Sequence, residues 1–80
     1  MSLAAKKVRQ YPAITGVVVD ADQLKAILSD GREVSIPLSW FPKLLNADST
    51  QRMKFEISPS GYGIYWPDLD EDISVKVFLD

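Results

Sequence analysis

The sequence predicts an α+β fold: a three-stranded antiparallel meander, one or two short helices and then a β-hairpin. The order is β-β-β-α-β-β, with a short last element that the residues leave open between strand and helix. Three observations carry this prediction. Apolar, largely β-branched runs recur at residues 13–20, 24–29 and 32–38, separated by turn-forming residues. Asp30-Gly31 joins the second run to the third, and that pair suits a two-residue type I′ hairpin turn. The alternation then stops over residues 39–53, where helix-capping residues gather, and resumes at residues 54–58 and 63–66.

Taken in order, residues 1–10 carry no periodic pattern and are expected to be loosely ordered, with Val8 and Tyr11 beginning to pack. Gly16 inside the first strand predicts a bulge or a close approach of another element. Asp20-Ala21-Asp22-Gln23 supplies the turn into the second strand, which puts Leu24, Ala26 and Leu28 on one face. The third strand turns Val34, Ile36 and Leu38 inward and Glu33 and Ser35 outward, and Pro37 marks its end or an edge. Ser39 is read as the N-cap of a helix over residues 40–45 with Pro42 in its first turn, and Asn46 ends it. Asp48 and Gln51 have capping-box spacing for a second helical turn. Trp40, Phe41, Leu44, Leu45 and Met53 are expected to seal one face of the sheet. Residues 54–58 and 63–66 form the hairpin around Pro59-Ser60-Gly61, with Ile64 and Trp66 inside and Tyr65 outside. Residues 73–79 are rich in valine, which favours a strand, yet Asp70 or Asp72 could cap a short helix there.

Composition limits the function. The 80 residues make a single small domain, 46% of them apolar, enough for a core. There is no cysteine and no histidine, which removes disulfides, thiolate chemistry, the commonest general base and the commonest transition-metal ligand. The longest apolar runs are far too short to cross a membrane, and the start lacks a secretory leader, so a cytoplasmic location is expected. Net charge of −2 argues against nucleic acid as the main partner. Charge is uneven: Lys6, Lys7 and Arg9 lie at the start, and Asp68, Asp70, Glu71, Asp72 and Asp80 lie near the end against Lys76 alone.

The densest chemistry is the acidic stretch after Trp66-Pro67. It lacks the glycine and ligand spacing of an EF-hand loop, so no metal or cofactor is called for. Carboxylate-based catalysis would need a cleft for which so small a core leaves little room. In the structural reading, Asp68 or Asp70 accepts backbone N–H groups in a turn. Gly61-Tyr62-Gly63 opens no helix and is not a nucleotide-binding signature.

Three blocks carry a resemblance. They are Asp30-Gly31-Arg32, the run from Pro37 to Leu44 through Trp40-Phe41-Pro42, and the run from Gly63 to Ser74 through Tyr65-Trp66-Pro67 and its acids. With these the chain resembles the bacterial domain of unknown function 2442 family from about Val8 to Leu79. The valine-rich end departs from the leucine-rich, helix-like ending common in that family. The resemblance implies a small α+β domain with no catalytic residue to carry over. It also implies a gene arrangement like a toxin–antitoxin pair, beside small proteins of another uncharacterised family numbered 4160. The leading expectation is a non-catalytic protein-interaction domain, the antitoxin-like member of a two-protein module, that docks a small basic protein. The expected contact residues are Asp68, Asp70, Glu71, Asp72, Tyr62 and Tyr65. Two alternatives stand beside it: a small metal-dependent or carboxylate-based enzyme using the acidic turn, and a DNA-binding regulator.

Overall fold

The computed structural model describes residues 11–79; the loose ordering expected of residues 1–10, and the basic Lys6, Lys7 and Arg9, lie outside them. The first sheet has strands β1 (Ile14–Val19), β2 (Gln23–Leu28) and β3 (Glu33–Pro37) in the order β1-β2-β3, and the second has β4 (Glu56–Ile57), β5 (Gly63–Trp66) and β6 (Glu71–Ser74) in the order β4-β5-β6. Every pairing is antiparallel. Between the sheets lie a 3-10 turn (Leu38–Trp40) and two one-turn helices, α1 (Pro42–Leu45) and α2 (Ser49–Arg52). The mixed α+β architecture and its order are those the sequence predicts.

β1 needs its bulge. Ile14 pairs with Leu28 and Gly16 with Ile27, so Thr15 is the extra residue, and its hydroxyl donates to the Ile27 carbonyl. Without that slip, strict alternation would put Ile14, Gly16 and Val18 on one face. With it, Ile14, Val17 and Val19 turn toward the core opposite Leu28, Ala26 and Leu24, and Val18 turns outward opposite Lys25. Gly16 lies under the Ile27 side chain, and a Cβ there would sit 3.2 Å from the Ile27 Cδ1, tight enough that this methyl would have to shift.

The β2–β3 turn differs from the expected type I′. The Gly31 amide donates to the Leu28 carbonyl and the Leu28 amide to the Arg32 carbonyl, which closes a loop of Ser29, Asp30 and Gly31. Gly31 has φ 97 and Asp30 has a negative φ. This is the three-residue hairpin in which a glycine in the left-handed region restores the register. The Asp30 carboxylate spans the turn, accepting from the Arg32 amide and Nε, so two positive φ values are unnecessary. Open space surrounds the Gly31 Cα, so only backbone strain penalises a side chain there. Gly31→Val should therefore cost about 1–2 kcal/mol in urea unfolding; an unchanged midpoint would contradict the positive φ.

The Asp20 turn is as expected. Its Oδ1 accepts from the Asp22 amide at 2.8 Å and the Gln23 amide at 2.7 Å, and these bonds hold the carboxyl below its usual range. The sign follows from a depressed folded value: the contribution is present above the ordinary carboxylate range and is lost as pH falls through the folded value. Asn at position 20 can accept the same bonds without titrating. The parent's advantage over Asp20→Asn in urea midpoint should be present at neutral pH and disappear in acid; an advantage independent of pH would contradict this.

The helical segment is partly corrected. Ser39 does not cap a helix over residues 40–45; it lies inside the 3-10 turn, and Phe41 at φ −129, ψ 86 separates that turn from α1. Pro42 disfavours helical backbone at the residue before it, so α1 can only begin at Pro42. Asn46 ends α1, and the Asp48–Gln51 capping box is formed in both directions. Only part of the expected seal exists. Leu38 and Leu44 are fully buried and Phe41 packs against the core, whereas Trp40 (61%), Leu45 (43%) and Met53 (65%) are exposed. Each short turn buries one side only, and Leu38 occupies it in the 3-10 turn and Leu44 in α1.

One core cluster draws on both sheets: Leu24, Ala26, Leu28 and Ile36 from the first, Ile64, Trp66 and Ile73 from the second. The sheets join where the Ile14 amide donates to the Gly61 carbonyl at 2.8 Å. The open C-terminal element resolves into both alternatives. β6 runs to Ser74, whose hydroxyl accepts from the Lys76 amide and caps the 3-10 turn Val75–Phe78. The cap is thus Ser74 rather than Asp70 or Asp72. Among the described residues, no helix is long and apolar enough to cross a membrane.

Candidate functional site

The acidic stretch is not one turn. Pro67, which cannot extend the ladder, ends β5 and starts the 3-10 turn Pro67–Leu69. Asp70 closes that turn in the left-handed region at φ 50, ψ 46, and its carbonyl accepts from Lys43 Nζ at 3.0 Å. The chain then reverses into β6, where Glu71 pairs with Trp66 and Asp72 with Tyr65. Directly paired residues share a face of the sheet. Glu71 therefore lies on the side of buried Trp66 and is half-buried, while Asp72 lies on the outer side with exposed Tyr65.

The outer face gathers a cross-strand row. Glu56 of β4 pairs with Tyr65 of β5, which pairs with Asp72 of β6, so one aromatic ring stands between two carboxylates. Tyr62, held at the mouth of the hairpin by its amide on the Ser58 hydroxyl, adds a second ring. Tyr62 is 49% and Tyr65 41% exposed. With Ser58 and Pro59 these residues line a groove of about 370 Å³.

Of the six residues expected to make contact, the structure thus brings together Tyr62, Tyr65 and Asp72. Asp68 sits elsewhere, 4.0 Å from Lys54 Nζ beside a smaller recess. Asp70 lies in the turn before β6 and Glu71 on the Trp66 side of the sheet, so neither lines the groove. Sequence reading missed Glu56; its signal was its alternation within residues 54–58, which puts it on the outer face with Tyr65 across the hairpin. Among the described residues, no hydrogen bond from a backbone N–H reaches the carboxylates of Asp68, Asp70, Glu71 or Asp72, contrary to the turn-capping role read for Asp68 or Asp70. Nor do three or more carboxylates converge as a metal site would require, among the described residues.

Comparison with known proteins gives a family and a fold. A crystal structure of a protein of unknown function from Rhodospirillum rubrum superposes with a TM-score of 0.74 at 25% identity, over 88% of this chain and 87% of that one. No curated protein matches the sequence. The model of the family described as protein of unknown function (DUF2442) matches residues 14–80, from the first residue of β1 through the last 3-10 turn, and the chain belongs to that family.

Proposed function

We propose that this chain is a single non-catalytic protein-interaction domain, the antitoxin-like member of a two-protein bacterial module, and that the outer face of β4-β5-β6 docks a small basic partner. The observation that supports this most is the Glu56–Tyr65–Asp72 row. An exposed aromatic between carboxylates combines contact area with charge that steers a basic protein. The paired-gene arrangement implied by the family resemblance supplies the candidate partner, the product of the adjacent gene.

The experiment is co-expression with that product. The double variant Tyr65→Ala, Asp72→Asn should fold with a near-parental urea transition and recover much less partner on co-purification. Added salt should slow association more than it speeds dissociation. Undiminished recovery by the folded double variant would sink the reading.

A further inference from the structure

We infer that the groove beside Tyr62 and Tyr65 receives a guanidinium, the side chain of an arginine on the basic partner; this rests on the interaction reading above and adds its anchor. Three features carry it. The paired register puts Glu56 and Asp72 on opposite sides of the Tyr65 ring, so a cation over that ring meets a carboxylate in either direction. Tyr62 lines the same groove, so two aromatic rings border it. Among the described residues, neither Glu56 nor Asp72 forms a salt bridge, and the neighbouring cation, Lys54, is turned to Asp68. Among the described residues, the face therefore presents negative charge and aromatic area with no cation paired to Glu56 or Asp72.

Those features favour a guanidinium over other cations. A guanidinium is flat, stacks on aromatic faces, is weakly hydrated, and directs N–H donors outward in its own plane toward both flanking carboxylates. A lysine ammonium is a compact, strongly hydrated point charge that uses the ring and the carboxylates less fully. The smaller recess formed by Lys54, Phe55, Glu56, Pro67 and Asp68 offers no such match, because it contains a cation of its own, Lys54, and no tyrosine.

The test uses the whole chain, labelled with nitrogen-15, titrated with a capped Gly-Arg-Gly peptide and its neutral citrulline counterpart. The arginine peptide should give saturable shifts, in the millimolar range, at the amides of Ile57, Gly63, Tyr65 and Asp72, and the citrulline peptide none. Asp72→Asn should weaken the response about threefold to fivefold, the scale of one exposed charge pair. Tyr65→Leu, checked for folding by its urea transition, should weaken it at least as much. Equal responses to both peptides, or arginine shifts centred on Asp20 or Asp30 instead, would overturn the inference. So would shifts at these amides that grow with protein concentration alone, since a second copy would then cover the face. If the arginine peptide fails while Tyr65→Ala, Asp72→Asn still loses the partner, the interaction reading stands and only the arginine anchor falls.

Discussion

Trp66→Ala is expected to cost about 3–5 kcal/mol, a large share of the total stability of about 4–12 kcal/mol for a domain of this length. Trp66 is fully buried and stands at the junction of three parts of the fold. Its ring packs against Phe55 at 6.0 Å between centroids, and its indole N–H donates to the Arg52 carbonyl at 3.1 Å. Arg52 in turn donates from Nε to the Leu44 carbonyl and from Nη2 to the Leu45 carbonyl, satisfying the end of α1. Removing the indole opens a cavity and leaves a carbonyl unpaired. Trp66→Phe separates the two effects: it keeps most of the apolar area and loses the hydrogen bond, so it should cost about 1–3 kcal/mol. Equal urea midpoints for the Phe and Ala variants would mean that the ring's packing contributes nothing, against this account.

The second large effect is at Gly61. Its φ is 73, and a Cβ there would lie 2.5 Å from the Ala13 Cβ and 2.9 Å from the Ile14 amide nitrogen, which donates to Gly61's own carbonyl. Strain and collision add, so Gly61→Ala should cost about 2–4 kcal/mol. Gly31→Ala is the internal comparison: its φ is also positive but no atom lies within 4 Å of the added carbon. It should cost about 1 kcal/mol. If the two variants lose the same stability in urea, the contact between the Gly61 turn and β1 does not hold the sheets together.

Much of the fold was legible because local chemistry and tertiary packing agree there. The Asp48–Gln51 box, the Gly16 bulge, the inward faces of β2 and β3 and the burial of Trp66 beside exposed Tyr65 follow from spacing and periodicity. Where the two disagree, reading failed. Acidic residues are poor strand formers, so Glu71-Asp72 reads as turn, yet pairing with β5 makes them strand. Val75-Lys76-Val77-Phe78 reads as strand, yet the Ser74 cap and the burial of Val75 and Phe78 curl it into a 3-10 turn. The aromatic residues of the candidate site were visible from their exposed positions, and Asp72 from its charge. Glu56 showed only as an outward position in the alternation of residues 54–58, because its role exists only across a strand pair.

The acidic stretch is divided, with Asp72 on the face proposed to bind and Asp70 off it. The direct measurement is calorimetric titration of the adjacent-gene product into Asp72→Asn and into Asp70→Asn. Both changes remove one charge, and asparagine tolerates the left-handed backbone at position 70. Asp72→Asn should weaken binding severalfold while Asp70→Asn leaves it close to the parent. Equal losses from the two variants would contradict this division, because the stretch would then act as undivided charge.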